Sequence, residues 1–202
     1  VMAPGPFTDP GIPSLQPHEA ASLLEIAVLA VRRASEEQPA PVLDLAREPG
    51  VLALPGATFV TLRNPSGLRG CIDSLKAARV LAADVVHNAF AAARHDPRFH
   101  PLTVAELPGL NLSVSTLGPS QALPAASRAE LIATLQPGLD GLVVRCGTLR
   151  ATFLPAVWEQ LPKPDEFVDA LWRKARLPPG PWPAHLELAS YRVQTLGMQI
   201  PG

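Results

Sequence analysis

The side chains best suited to chemistry lie in the segment 67–73, which reads Gly-Leu-Arg-Gly-Cys-Ile-Asp. Side chains alternate along an extended strand. We therefore expect one face to hold Arg69, Cys71 and Asp73, with Leu68 and Ile72 turned toward the core. A guanidinium beside a thiol favours the nucleophilic thiolate, whereas a nearby carboxylate disfavours it. The segment predicts a nucleophile at Cys71 or, alternatively, a small packed thiol under a loop with an Arg69–Asp73 ion pair.

Gly67 and Gly70 add a second property to this segment. Glycine permits backbone shapes and close approaches that other residues exclude. We therefore expect both glycines to be positions where a ligand or partner comes near the backbone.

A second polar cluster follows, at Asp96-Pro97-Arg98. An aspartate before a proline is a common turn device, so Asp96 is expected to cap backbone N–H groups. Arg98 is expected to pair with Asp96 or with a ligand anion. His87 is predicted on the polar face of a helix, which favours a solvated role over that of a base for Cys71.

Cofactor and metal motifs are absent from the sequence. Its two cysteines have no CxxC spacing, its five histidines form no HExxH pair, and it has no P-loop, dinucleotide fingerprint or GxSxG. We therefore predict no metal and no cofactor.

Composition limits the class of protein. Hydrophobic residues make up 47% of the 202 residues and charged residues 17%, which excludes a disordered tail protein. The net charge of -1 argues against a nucleic-acid binder that depends on phosphate contacts. The longest apolar run is too short to span a membrane, and residues 1–6 show no signal-peptide pattern. A cytoplasmic location is therefore expected.

Apolar periodicity and turn residues predict the elements that position these side chains. Residues 1–17, with five prolines, are predicted to form an extended arm. A helix follows from Pro17 and ends before Pro39 and Pro41. The other predicted elements are strands at 57–63, 68–75, 111–117 and 186–196, helices at 77–94, 127–135, 155–161 and 165–175, and a turn at 64–67.

The helix predicted at 77–94 has a clear apolar face when its residues are projected at 100° steps. Asp84, His87 and Arg94 fall on the opposite side, and Asn88 falls at the border of the apolar face. The projection therefore places Asp84 on the polar face of the helix.

A hairpin is predicted where Gly147-Thr148 separates two apolar segments, because a glycine in the first position suits a two-residue turn of type II′. Its register would put apolar residues on one face and Arg145 opposite Arg150 on the other. Facing like charges need acidic neighbours, for which Glu159 and Asp140 are candidates, or they need an acidic partner or a small anion. The alternative is that the two arginines are tolerated because they are exposed at the surface. Cys146 is predicted to be a core residue.

Strands and helices mix without regular βαβ alternation, so we predict an α+β fold with an antiparallel β-sheet flanked by helices. The chain length fits one domain, or one domain with a smaller lobe.

The order of its motifs resembles the AMMECR family, which is also called the A component of the AmmeMemoRadiSam system. The likeness runs from about residue 18 to 196. The segments that carry it are Leu68-Arg69-Gly70-Cys71-Ile72, Asp96-Pro97-Arg98-Phe99, Pro137-Gly138-Leu139-Asp140-Gly141-Leu142 and Val157-Trp158-Glu159-Gln160-Leu161. Two positions depart from the family pattern. Asp73 stands where the family usually has glycine, and Ala151 stands where it often has glycine.

This resemblance implies a single domain over residues 18–202, with a smaller lobe within 121–185. It implies functional association with a Memo-like protein and a radical S-adenosylmethionine enzyme. By position it implies a functional surface at Arg69, Gly70 and Cys71, with Asn88, Asp96 and Arg98 as second choices. Asp73 places an anion beside the signature thiol.

Three hypotheses of function stay open at this point. The first is an intracellular component of that system, with its site at residues 68–72. The second is a thiol-dependent enzyme, with Cys71 as nucleophile and Arg69 as its charge partner. The third is a non-catalytic module that binds a ligand or a protein, with Gly67, Gly70, Asp73, Asn88, Asp96 and Arg98 as contact candidates. The sequence leaves substrate, reaction and oligomeric state open.

Overall fold

The computed structural model describes residues 12–44, 50–74 and 76–201. Within these residues the chain divides into two compact units, one up to Leu117 together with the residues from Gln194 onward, and one from Gly118 to Val193. The helices are α1 (Pro17–Ser35), α2 (Leu81–Arg94), α3 (Arg128–Thr134) and α4 (Pro164–Ala175). The strands are β1 (Pro55–Gly56), β2 (Thr58–Asn64), β3 (Gly67–Asp73), β4 (Arg79–Val80), β5 (Asn111–Leu117), β6 (Gln121–Ala122), β7 (Gly141–Cys146), β8 (Leu149–Phe153), β9 (Leu186–Tyr191) and β10 (Val193–Gln199).

In the first unit, a sheet of strand order β10-β5-β2-β3 carries two helices on one face. Helix α1 begins at Pro17, as predicted, with Gln16 and Glu19 forming a reciprocal capping box. Of the predicted arm, residues 1–11 lie outside the described residues; residues 12–16 are irregular, and Ile12 and Leu15 are buried in the core.

Strand β3 pairs antiparallel with β2, but its register shifts at one point. Leu62 lies opposite Gly70 and Arg63 lies opposite Leu68, so Arg69 is an extra residue in a β-bulge. The bulge breaks the alternation assumed from sequence, and Leu68, predicted to face the core, is exposed. Ile72 packs against the core as predicted. The last predicted residue of this strand, Leu75, lies outside the described residues.

Helix α2 begins at Leu81, four residues later than predicted, because Arg79 and Val80 pair with the short strand β1 instead. Its predicted apolar face is buried. Asp84, which the helical projection places on the polar face, is fully buried and accepts hydrogen bonds from Thr58 and Ser74.

In the second unit, the described strands form a sheet of order β6-β9-β7-β8. The predicted hairpin is confirmed residue by residue, with Cys146 opposite Leu149 and Leu142 opposite Phe153, and Gly147 adopts the positive φ that the turn requires. The predicted final strand 186–196 is instead two strands, β9 and β10, which belong to different sheets.

The described architecture confirms the predicted α+β class, with antiparallel pairing in both units. Four residues of α4 form its buried stripe, which packs on the hairpin: Phe167, Val168, Leu171 and Ala175. No helix among the described residues has the length and apolarity needed to cross a membrane.

Candidate functional site

Cys71 lies on β3, at the edge of the sheet formed by the described residues. Its outward backbone groups are held by two side chains from the turn after α2. Its N–H donates to Asp96 Oδ2 at 2.8 Å, and its carbonyl oxygen accepts from Arg98 Nη2 at 3.0 Å. Unpaired edge groups usually face water or another strand. Here a carboxylate and a guanidinium take the place of a neighbouring strand.

Asp96 and Arg98 form a two-bonded ion pair. Arg98 Nε donates to Asp96 Oδ1 at 2.9 Å, Arg98 Nη2 donates to Asp96 Oδ2 at 2.7 Å, and the Arg98 backbone N–H adds a bond to Oδ1 at 3.1 Å. These hydrogen bonds hold the pKa of the buried Asp96 carboxyl well below its usual value and raise the pKa of Arg98. Asp96 thus caps the turn, as the sequence predicts.

A second pair of the same kind lies beside the first. Arg69 Nε donates to Glu106 Oε1 at 2.7 Å, and Arg69 Nη2 donates to Glu106 Oε2 at 3.2 Å. The Arg69 guanidinium lowers the pKa of Glu106 to about 2, against the opposing effect of burial. Glu106 also accepts from the backbone N–H and hydroxyl of Thr103, which closes a short helical turn at residues 104–106. The ion pair that the sequence suggested for Arg69 with Asp73 is therefore made with Glu106.

Phe99 links the two ion pairs. The guanidinium carbon of Arg69 lies 5.9 Å from the centroid of its ring, and that of Arg98 lies 5.6 Å from the same centroid. Both separations are in the range of cation–π attraction. We call Arg69, Asp96, Arg98, Phe99 and Glu106 the double-fork cluster.

The Cys71 thiol is partly buried on the face of the sheet turned away from α2. Its sulfur lies 3.4 Å from the hydroxyl oxygen of Thr61, directly across on β2. Asp73 is exposed two residues further along the same strand. His87 lies on the exposed side of α2, as predicted for a solvated residue.

The two signature glycines have structural roles. Gly67 has a φ of +119°, which suits the turn that joins β2 to β3. A Cβ at Gly70 would lie 2.1 Å from the carbonyl oxygen of Ala92, so β3 passes close to α2 at this point. The close approach expected at Gly70 is therefore an approach of the chain to itself.

Asn88, which is itself fully buried, belongs to a different polar network. Its amide nitrogen donates to the carbonyl oxygen and hydroxyl of Thr58, to Ser74 and to Asp84. This network joins α2 to the start of β2 and the segment after β3. Its contacts connect Asn88 to the fold and do not bring it to the double-fork cluster.

The facing arginines of the hairpin are also placed as predicted, with Arg145 opposite Arg150. The acid neighbour, however, is Glu187 of β9, which pairs with Arg145. Asp140, one of the two expected neighbours, instead accepts from the Gln136 backbone and lies near Arg192. Glu187 was missed because the predicted strand pairing did not include β9.

Sequence reasoning also missed Glu106 and Phe99 as members of the site. The signal for Glu106 was available, since Thr103-x-x-Glu106 has the spacing of a capping box. Nothing in the local sequence indicates that Phe99 lies between two arginines that are 29 residues apart. The described residues include no group of three or more His, Cys, Asp or Glu side chains arranged to hold a metal ion.

Comparison with known proteins gives a consistent result. The model of the AMMECR1 family matches residues 8–196. A protein of Thermofilum pendens is 34% identical over 198 residues, which cover 89% of each chain. A protein of Methanothermobacter thermautotrophicus is 35% identical over 136 residues, covering 65% of this chain and 69% of its own. The crystal structure of an uncharacterized protein from Pyrococcus horikoshii superposes with a TM-score of 0.77 at 24% identity, covering 93% of this chain and 95% of that one.

Proposed function

Because the chain belongs to the AMMECR1 family and the names of the relatives given above state no activity, we propose its function from the geometry of the site. We propose that the chain is a binding component whose recognition surface consists of the double-fork cluster and Cys71. One observation carries this proposal. The carboxylates beside Cys71 are already engaged by arginines, and the thiol itself contacts the Thr61 hydroxyl and an arginine that is paired with Asp96.

Acid–base chemistry needs a group whose pKa lies near the working pH. The pKa values of Asp96 and Glu106 are held far below neutrality by their arginines, so both carboxylates stay ionised and are weak bases. A nucleophilic thiol needs a neighbouring base or cation. The Arg98 guanidinium also interacts with the Cys71 thiol, but its charge is balanced by the two-bonded ion pair with Asp96, and it donates to the carbonyl oxygen of Cys71 as well.

Binding is favoured by the rigidity of the site. Arg98 is held by several hydrogen bonds and packs on Phe99, yet its side chain is 52% exposed. An ordered, exposed arginine loses little side-chain entropy when a partner binds. Arginine and aromatic residues are also enriched among those that dominate binding energy at interfaces. Leu68 adds an exposed apolar side chain on the same strand as Cys71.

As partners we propose the two proteins implied by the family resemblance, a Memo-like protein and a radical S-adenosylmethionine enzyme, and as location the cytoplasm. The support is the order of the signature motifs and their position in one cluster. Asp96-Pro97-Arg98-Phe99 and Leu68-Arg69-Gly70-Cys71-Ile72 are separate in sequence, and they meet around the backbone of Cys71.

The experiment compares three variants in co-purification with these two proteins, each expressed from the same source. We expect Cys71→Ser to retain both partners and Arg98→Gln to lose them. Arg150→Gln, which changes an exposed arginine in the other unit, is the matched control and should retain both. Loss of both partners with Cys71→Ser, with retention in Arg98→Gln, would contradict the proposal.

A thiol-dependent enzyme is the second candidate, because Cys71 is only partly buried and its sulfur contacts the Thr61 hydroxyl. Alkylation by iodoacetamide as a function of pH separates the two functions. A midpoint near the ordinary cysteine value of about 8.5 supports binding, and a midpoint below about 7.5 supports an activated thiolate. Cys146→Ser removes the other cysteine from the measurement.

A further inference from the structure

We propose that strand β8 is a docking edge for an extended acidic segment of another protein, which adds to the sheet of the second unit as a further antiparallel strand. This docking edge goes beyond the function proposed above, because it is a different surface from the double-fork cluster and lies in the other unit. Three observations carry it. The outward backbone groups of β8 are largely unpaired, an arginine on β8 has no acidic partner, and a lysine is held at the same edge.

The backbone of β8 is available because β8 is the last strand of the described sheet, whose order is β6-β9-β7-β8. In an antiparallel pair, opposed residues alternate between those that bond to each other and those whose N–H and C=O groups point away. The two-residue turn makes Cys146 and Leu149 the first bonded pair, so the backbone groups of Arg150 and Thr152 point away from β7. Outward groups in a row are a template for another strand.

The edge of β8 is only partly occupied by side chains. Lys174, in the last turn of α4, donates from Nζ to the carbonyl oxygen of Thr152 at 3.0 Å. Among the described residues, the N–H of Thr152 and both backbone groups of Arg150 have no hydrogen-bond partner. On β3, by contrast, both outward groups of Cys71 are taken by side chains of the double-fork cluster. We therefore assign strand addition to β8 and not to β3.

Side-chain charge selects the kind of strand that fits. Arg145 of β7 lies between Glu187 of β9 and Arg150 of β8, in one row across the sheet. Glu187 pairs with Arg145, so the acid of this row is already engaged. The Arg150 side chain is exposed and makes no hydrogen bond or ion pair with the described residues. Directly opposed residues interact across neighbouring strands, so an acidic residue opposite Arg150 supplies the missing partner.

Lys174 adds a second positive charge at this edge. Its ammonium group lies 5.1 Å from the centroid of the Phe153 ring, and no carboxylate among the described residues pairs with it. A second copy of this chain would bring the same two cations, Arg150 and Lys174, to the junction, where like charges repel. An acidic strand attracts both cations, which favours a different protein as the occupant.

The other side of β8 determines which residues flank the acid. Leu149 and Phe153 are half-buried on the face packed against α4, and Ala151 is buried between them. Alternate residues of a strand point to opposite faces, so the neighbours of the acid lie beside these apolar side chains. The fitting segment therefore has an acidic residue between apolar β-branched residues. Main-chain bonds provide the affinity of such an added strand, and its alternate side chains provide the specificity.

The test uses three blocked heptapeptides, each titrated into the full chain while backbone amides are followed by NMR. The first is Ser-Thr-Val-Glu-Val-Thr-Ser, the second has glutamine in place of its glutamate, and the third carries an N-methyl group on the glutamate nitrogen. We expect saturable shifts of the Arg150 and Thr152 amides with the first peptide. The glutamine peptide should bind at least about threefold more weakly, because it loses the charge pair. The N-methyl peptide should bind at least about fivefold more weakly, because it loses the donor for the Arg150 carbonyl oxygen.

A variant of Arg150 separates its charge from the fold of the strand. In Arg150→Gln the glutamate and glutamine peptides should bind with nearly equal Kd, because the cation opposite the acid is gone. Arg63→Gln, at an exposed arginine of β2 in the other unit, is the matched control and should keep the wild-type ratio of the two Kd values. Co-purification of the partners proposed for the double-fork cluster should be unchanged in Arg150→Gln.

Four results would each overturn the docking edge. Equal affinity of the N-methyl peptide would mean charge contact without strand pairing. Equal affinity of the glutamine peptide, or a ratio that Arg150→Gln leaves unchanged, would remove the acidic partner. Absence of shifts at Arg150 and Thr152 would place any binding elsewhere. A dimer in sedimentation that shifts these two amides without peptide would make a second copy the occupant.

Discussion

Asp96→Asn is the substitution that most directly probes the support of Cys71. The Asp96 carboxylate accepts four hydrogen bonds from the described residues, two at each oxygen. Asparagine keeps one oxygen and replaces the other with an NH₂ group, which itself donates. Two of the four donors therefore lose their acceptor. If the NH₂ group takes the place of Oδ2, the Cys71 N–H and the Arg98 Nη2 lose their acceptor.

The expected cost follows from these contacts. A buried N–H left without an acceptor costs about 1–3 kcal/mol, and a hydrogen bond to a charged group contributes about 1.5–3 kcal/mol. Arg98 is half exposed, so its freed N–H group can bond to water. The lower part of the range for a hydrogen bond to a charged group therefore applies to Arg98. We expect a loss of about 2–4 kcal/mol in the free energy of unfolding, and a fall of about 1–2 M in the urea midpoint.

The assay combines urea denaturation with hydrogen exchange at the Cys71 amide. The pKa of Asp96 is lowered on folding, so its contribution is complete above pH about 4, the ordinary value for aspartate, and is lost as the pH falls below it. The difference between wild type and variant should thus be constant from pH 7 to 5. Asp169→Asn, at an exposed aspartate, is the matched control and should cost less than about 1 kcal/mol. A loss below about 1 kcal/mol for Asp96→Asn, with unchanged exchange at Cys71, would show that Asp96 does not support the backbone of Cys71.

Three further predictions concern the supports of the site. Glu106→Gln should lower the free energy of unfolding by about 2 kcal/mol at pH 7, because it leaves a buried guanidinium unpaired. Urea denaturation should show that the difference between wild type and variant shrinks as the pH falls from about 4.5 toward the Glu106 pKa of about 2. Gly70→Ala should cost more than about 3 kcal/mol, measured by thermal or urea unfolding, because its Cβ would collide with the backbone at Ala92. Asn88→Ala should cost about 2–4 kcal/mol in the same assay, because it removes a buried donor from Asp84 and Thr58.

Each of these predictions has a control of the same chemistry. Glu166→Gln changes an exposed ion pair and should cost less than about 0.5 kcal/mol. Gly138→Ala, at a positive φ with open space around it, should cost about 1 kcal/mol from backbone strain alone. Asn111→Ala changes an exposed asparagine and should have an effect within about 0.5 kcal/mol. A variant that costs no more than its control would contradict the contact assigned to it.

The hairpin shows what the sequence of this chain can determine locally. Its two-residue turn at Gly147-Thr148 and the alternation of apolar residues on both sides leave one register that buries a complete face. Both signals lie within a dozen residues, so no distant contact was needed. The buried stripe of α4 could be predicted for the same reason, since it depends on helical spacing alone.

The errors arise where a distant contact overrides the local pattern. Asp84 lies opposite the apolar face of α2 on a helical projection, but donors from Thr58 and Ser74 make a buried carboxylate tolerable there. The bulge at Arg69 changed which side of β3 Leu68 occupies, and alternation cannot reveal a bulge. Strands β9 and β10 are nearly continuous in sequence, yet they belong to two sheets.

The candidate site was predicted in part. Asp96 and Arg98 pair as expected from their spacing in the turn. Their contacts with the backbone of Cys71, which is 25 residues from Asp96 and 27 from Arg98, depend on the packing of α2 against β3, which the sequence does not specify. The glycines and Asn88 serve the fold through Ala92, the β2–β3 turn and the Thr58 network.

The most direct measurement is the Kd of the purified chain for the Memo-like protein, determined by calorimetry for wild type, Cys71→Ser and Arg98→Gln. Recognition through the double-fork cluster predicts a Kd for Cys71→Ser within about twofold of wild type and a Kd for Arg98→Gln at least about tenfold weaker. A Kd for Arg98→Gln equal to that of wild type, together with lost binding in Cys71→Ser, would contradict it.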